Sequence, residues 1–224
     1  MGVTSRQRNS LQIKKNKKIL KKGILIAIEG IDGAGKTTHA ELLKDSLLKD
    51  GYSVTLLHEP TEGKWGKKIA ELANVGLDNI SPKTEFELFC KDRIEDVENN
   101  IKPALERNDI VIMDRYYFSS VAYQGAKGLD PDFIEKENMF APKPDLVVIL
   151  DIPPDNALSR IQKRASKPNL FERKQYLTKV RDLFKQRFSK RSYVQIIEGK
   201  QPIHIVSAKI REFIQPLIAK QEKK

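Results

Sequence analysis

Cysteine is almost absent from this chain. Cys90 is the single one in 224 residues, so an internal disulfide framework is excluded and the usage suits a reducing, cytoplasmic setting. Long apolar runs are missing too. The longest, such as residues 146–150, fall far short of the roughly 20 residues that span a bilayer, which predicts no membrane segment. Neither an internal repeat nor a low-complexity stretch breaks the body. Acidic residues are missing from the start: residues 1–22 hold eight of the 41 Lys and Arg and none of the 30 acids. Most of the formal charge of +11 therefore belongs to that stretch, and the remainder of the chain is near +3. A basic run of this kind reads first as a solvated, disordered tail, with contact to nucleic acid or an anionic surface as the lesser alternative. It is too rich in Lys and too poor in Ser for a transit peptide, and it lacks the apolar core of a secretory signal.

What remains suits one soluble domain over residues 23–218, followed by a charged end at 219–224; hydrophobic residues make up 39% and charged residues 32%. Short apolar, β-branched runs recur at residues 24–28, 53–57, 110–113, 146–150 and 193–197. Helical patterns lie between or after them, at roughly 36–50, 83–101, 155–165, 171–188 and 202–218. That alternation predicts an α/β fold of three layers, with a five-stranded parallel sheet flanked by helices. Ligands in such folds sit at the carboxyl ends of the strands.

The first such end carries the clearest motif. Gly30-Ile31-Asp32-Gly33-Ala34-Gly35-Lys36-Thr37 matches G-x-x-x-x-G-K-[ST], and Thr38 follows. Glycines permit a turn whose N–H groups face inward around phosphate oxygens, and the helix behind it offers its positive end. Lys36 is placed to reach the β- and γ-phosphates of a nucleoside triphosphate, and the Thr37 hydroxyl to ligate Mg²⁺. The third strand ends at Asp114, placed for Mg²⁺ or for the attacking oxygen, followed by Arg115, a guanidinium that suits a second phosphate group. A plain structural ion pair between those two is the alternative. An acid followed by Arg-Tyr favours a small-molecule kinase with a phosphorylated acceptor over a GTPase or a helicase.

Two segments together resemble the thymidylate kinase family. Glu29 to Thr38 is similar to its phosphate loop, and Asp114-Arg115-Tyr116-Tyr117-Phe118-Ser119-Ser120-Val121-Ala122-Tyr123-Gln124-Gly125 to its Asp-Arg-Tyr segment, within a likeness covering roughly residues 23–198. The resemblance implies transfer of the γ-phosphoryl of Mg·ATP to the 5′-phosphate of dTMP, giving dTDP on the route to dTTP. It implies that Asp32 meets the acceptor's 3′-hydroxyl and that Arg115 grips its phosphate. Tyr123 would lie beside the sugar, with Ser120 and Gln124 near the thymine edge. Leu88-Phe89-Cys90-Lys91-Asp92-Arg93 resembles a helical segment whose Phe stacks on thymine and whose Arg donates to O4. By itself Phe89 would read as a core residue like Phe86, although Phe89 and Arg93, four apart, share a helix face.

Departures from the family pattern fall in two loops. After the second strand, where many members have Arg-Glu-Pro-Gly, the chain reads His58-Glu59-Pro60-Thr61, keeping Glu59 and Pro60 as candidates for the acceptor site. The stretch 160–173 resembles a mobile lid over ATP, and Gly33 places the chain among members that draw transition-state charge from lid arginines. Here that charge must come from Arg160, Arg164 or Arg173, because the stretch 169–172 lacks the usual arginine. The family also implies a homodimer packed through helices, and apolar positions in 83–101 are compatible with one. Rival readings are a kinase of UMP, CMP or dUMP, a P-loop ATPase that binds nucleic acid through the basic tail, and a catalytically silent nucleotide binder.

Overall fold

The computed structural model describes residues 18–76, 80–162 and 170–222. Five strands form one parallel sheet: β1 (Ile24–Glu29), β2 (Val54–His58), β3 (Ile110–Asp114), β4 (Leu146–Asp151) and β5 (Val194–Glu198), in the order β2-β3-β1-β4-β5. Every residue of β1 and β3 is buried, which requires cover on both faces and accounts for their unbroken apolar runs. Helix α1 (Lys36–Lys49) buries Ala40, Leu43 and Leu47 and packs with the last helix, α9 (Ile203–Gln221). The other described helices are α2 (Lys64–Val75), α3 (Pro82–Asp96), α4 (Lys102–Glu106), α5 (Tyr117–Ala126), α6 (Pro131–Glu137), α7 (Pro154–Gln162) and α8 (Leu170–Phe188). Helix α5 packs against α3, α6 and α8.

Three features differ from the sequence reading. The stretch 83–101 is not one α-helix: α3 gives way to a π-helical turn at Val97–Ile101 before α4. Helices α2, α4, α5 and α6 lie outside the predicted helical stretches; α4 and α6 span only Lys102–Glu106 and Pro131–Glu137. The ends of the domain also extend further than 23–218. Leu20 is 2% exposed and bridges Glu222, and the Lys21 N–H donates to the Gln221 carbonyl at 2.7 Å. Lys18 donates to Tyr52 at 3.0 Å and to Glu222 at 3.1 Å. Residues 18–22, grouped on charge with the tail, thus close over the C-terminal end of α9, because Leu20 gives an otherwise basic stretch an apolar anchor. Residues 1–17 and 223–224 lie outside the described residues. No described helix is long and apolar enough to cross a membrane.

Candidate active site

The carboxyl ends of β1, β2 and β3 lie side by side, with His58 and Ile28 in register with Asp114. Two cavities open there, of about 780 Å³ and about 940 Å³, and Glu59 and Arg115 line both. The smaller one holds the phosphate loop.

That loop is shaped by backbone. Gly30, Gly33 and Gly35 have φ of 136°, 80° and 97°, which side chains other than glycine rarely adopt. A Cβ on Gly33 would lie 2.6 Å from the Ala157 carbonyl oxygen of α7, so no arginine side chain fits at this point of the loop. The lid-side cation arrives from α7 instead: Arg160 donates to the carbonyls of Gly33 at 3.3 Å, Ala34 at 3.4 Å and Gly199 at 3.2 Å. Ala34 through Thr38 line this cavity, along with Gly199, Gln201 and Ile203 after β5, three residues absent from the sequence reading. Lys36 is buried and donates to the Ile31 carbonyl at 3.0 Å. Burial and the nearby Arg115 push its ammonium down to about 7, against the pull of Asp32, Asp114 and Glu29.

The Thr37 hydroxyl donates to Asp114 Oδ2 at 2.5 Å, joining the loop to the end of β3. Asp114 is 8% exposed, and its Oδ1 is buried with no hydrogen-bond partner among the described residues. An anionic oxygen left in that state is costly unless a cation or a donor meets it. Thr37 and Asp114 therefore fit a divalent ion that takes the rest of its ligands from phosphate oxygens and water.

Arg115 lies outside α5. The helix begins at Tyr117, Tyr116 is extended, and Arg115 sits in the turn at φ 73°, a conformation that costs a non-glycine residue about 1–3 kcal/mol. The turn is pinned by Glu29, which accepts from the Tyr116 N–H at 2.7 Å, the Ser119 N–H at 3.3 Å and the Ser119 hydroxyl at 2.6 Å. Burial pushes Glu29 up to about 7, against Ser119, Arg115, Tyr116 and Lys36. So held, Arg115 pairs with Asp32, bonds Ser119 at 3.3 Å and stands 5.3 Å from the centre of the Tyr123 ring. The Asp32 N–H donates to the Tyr123 hydroxyl at 2.8 Å. Arg173, on the first turn of α8, approaches Asp32 at 3.8 Å. Burial opposes the Asp32 charge, but Arg115, Lys36 and Arg173 outweigh it and hold the carboxyl below its usual range.

The larger cavity draws on scattered elements. Phe89 and Arg93 from α3, Ser120, Tyr123 and Gln124 from α5, and Glu59 and Pro60 after β2 all line it. Phe86, by contrast, is buried against Phe133, which separates the two aromatics of α3. Arg93 is 1% exposed and heavily engaged: it donates to both Glu59 oxygens, to Asn138 Oδ1 at 2.6 Å and to Ser120 Oγ at 3.1 Å. Four of the five N–H groups of the guanidinium are thereby spent on protein. Burial pushes Glu59 up to about 7 despite Arg93. The departure at Thr61 is explained locally, since its N–H and hydroxyl both donate to Asp92, at 2.8 and 2.6 Å. His58 is exposed, with Nδ1 2.9 Å from the Pro60 carbonyl. The Glu59–Pro60 peptide is cis.

Several lining residues had no place in the sequence reading. Glu85 and Lys127 form a 2.9 Å ion pair on the cavity wall, and Tyr176 of α8 donates to the Tyr123 carbonyl at 3.0 Å. One signal pointed to Glu85: with Phe89 and Arg93 it makes an i, i+4, i+8 stripe on α3. Lys163, Arg164 and residues 165–169 of the predicted lid lie outside the described residues.

A parallel sheet with a phosphate loop in one cavity and an arginine shared with a second defines a P-loop kinase of a small phosphorylated acceptor. Comparison with known proteins narrows the class. The family model described as thymidylate kinase matches residues 28–210. A probable thymidylate kinase of Archaeoglobus fulgidus is 43% identical over 196 residues, covering 87% of this chain and 96% of its own length. A thymidylate kinase of Xanthomonas euvesicatoria pv. vesicatoria is 49% identical over 162 residues, 72% of this chain and 71% of its own. One of Xanthomonas oryzae pv. oryzae is 50% identical over 162 residues, with 72% and 70% covered. The chain belongs to the thymidylate kinase family.

Proposed function

We propose that the smaller cavity takes ATP and the larger one dTMP, and that the protein transfers the γ-phosphoryl group between them, forming dTDP and ADP. One observation carries this reading: Arg115 lines both cavities while paired with Asp32 of the phosphate loop, so a single cation serves donor and acceptor. In the reaction an oxygen of the acceptor phosphate bonds to the γ-phosphorus as the bond to the β–γ bridging oxygen breaks, and ADP leaves with that electron pair. Catalysis of this kind rests on positioning and charge neutralisation.

The loop N–H groups and Lys36 hold the donor phosphates, and the approach of the triphosphate restores the charge that burial takes from Lys36. Asp114 and Thr37 would hold Mg²⁺, which supplies charge neutralisation at the phosphate oxygens when bound. Arg115 holds the acceptor phosphate, and Arg160 and Arg173 bring lid-side charge to the donor loop and to Asp32 respectively. Tyr123 fills the space beside the sugar, Phe89 stacks on the base, and Arg93 and Gln124 face its edge. The homodimer expected from the family finds a candidate face where Ile94 of α3 is 48% exposed and Met139, next to the Asn138 that binds Arg93, is 81% exposed. Light scattering at several concentrations tests it.

The activity is tested by ADP formation from ATP with dTMP, dUMP, UMP and CMP in turn. Turnover is expected to be highest with dTMP. Preference for UMP or CMP, or ADP formation that needs nucleic acid and no monophosphate, would overturn the reading.

A further inference from the structure

Gln124 has an orientation that its neighbours dictate. It is 2% exposed, and its Nε2 donates to Glu85 Oε1 at 3.2 Å. A carboxylate only accepts hydrogen bonds, so the amide must turn its NH₂ toward Glu85 and its oxygen away. The other Glu85 oxygen receives Lys127 at 2.9 Å, which holds the carboxylate in place. The Gln124 Oε1 left on the far side is buried and has no partner among the described residues. All three residues line the larger cavity, with Arg93 on the same wall. A buried acceptor without a donor is costly, and a ligand N–H would relieve that cost.

We infer that Glu85, braced by Lys127, is a positioning residue that sets base selectivity by locking the Gln124 amide with its oxygen toward the ligand. The wall then presents a donor, Arg93, and a fixed acceptor, Gln124. That pair complements a base edge with a carbonyl beside a ring N–H, as in thymine and uracil. Cytosine carries the reverse order, an amino group beside a bare ring nitrogen, so donor would face donor and acceptor would face acceptor. A site that pairs hydrogen bonds in this way rejects the mismatched analogue far more strongly than an apolar pocket rejects a changed methyl group. The inference rests on the larger cavity being the dTMP site.

The test is Glu85→Gln, near-isosteric and able to donate as well as accept, so that the Gln124 amide is free to turn over. Dissociation constants for dTMP and dCMP, measured by calorimetry on wild type and variant, give the selectivity ratio, and the KM for ATP serves as a control. The ratio is expected to fall by roughly tenfold or more, through weaker dTMP and tighter dCMP, with the ATP KM unchanged. Lys127→Met keeps the aliphatic stem and should move the ratio the same way by a smaller factor; it also serves if Glu85→Gln fails to fold. Equal loss of both ligands, or an unchanged ratio in both variants, would overturn the inference and leave Glu85 a structural residue. Wild-type protein that binds dTMP no better than dCMP would instead remove the dTMP reading itself.

Discussion

The two cavities share Arg115 and Glu59 but are made of different material. The phosphate-loop cavity is built around the backbone of one contiguous loop, its glycines at positive φ and its carbonyls gripped by Arg160, with Asp114 and residues after β5 completing its wall. The larger cavity, proposed for the acceptor, is a mosaic of side chains from α2, α3, α5, α8 and the loop after β2, joined by buried polar contacts. A triphosphate offers the same oxygens in every nucleotide, so backbone N–H groups suffice for it. A base edge must be told from other base edges, which takes oriented side chains and a second layer to orient them. Damage should therefore spread differently from the two sides.

The largest expected effect lies in the mosaic. Glu59→Ala strands the buried Arg93 charge and should cost about 3–5 kcal/mol of stability, read as a lower denaturation midpoint at unchanged slope. A midpoint within error of wild type would show that the acceptor wall tolerates loss of its polar frame. Next comes the residue the cavities share. Arg115→Ala should lower kcat/KM with dTMP by about two to three orders of magnitude, because a cation is lost where charge develops. Near-normal turnover in that variant would dissolve the link between the two sides.

The same contrast explains what was legible in the sequence. Five parallel strands and the phosphate loop could be read because buried strands are continuous apolar runs and the loop is one unbroken motif. Phe89, Arg93, Tyr123 and Gln124 could be placed through a family resemblance; by itself Phe89 looked like Phe86. Asn138 and Lys127 could not, because each meets its partner only in the fold: Asn138 lies 45 positions from Arg93 and Lys127 lies 42 from Glu85, which itself left only a helical stripe with Phe89 and Arg93. The π-helical turn after α3 escaped for a different reason, since its residues carry an ordinary helical pattern. Arg115 lies four positions before Ser119 and eight before Tyr123, the spacing of one helical stripe. It meets both, but from a left-handed turn that Glu29 holds, and no local spacing reports such a turn.

On the backbone side the sharper test is Gly33→Ala. The added Cβ meets the Ala157 carbonyl oxygen at 2.6 Å in a conformation strained for alanine, so about 1–3 kcal/mol should be lost, chiefly from ATP affinity, with dTMP affinity nearly unchanged. Equal weakening of both ligands would mean that the cavities do not separate.

The smallest effect concerns a proton. Burial and Arg115 hold Lys36 near 7 in the free protein, so at pH 8 it is largely neutral, and a bound triphosphate should raise it again. A group whose value rises on binding takes up a proton in the window between its free and bound values. The affinity it lends is fully present below about 7 and is lost as the pH rises past the bound value. At pH 8 the penalty is about 1.4 kcal/mol, one unit above the free value. Calorimetry of ATP binding at pH 8 in buffers of different ionisation enthalpy should register uptake approaching one proton, and Lys36→Met should abolish it. Binding of dTMP alone should take up much less, because Lys36 lines the smaller cavity and not the larger one. Equal uptake for both ligands would place Lys36 in a field common to the two cavities and would blur the division between backbone and mosaic.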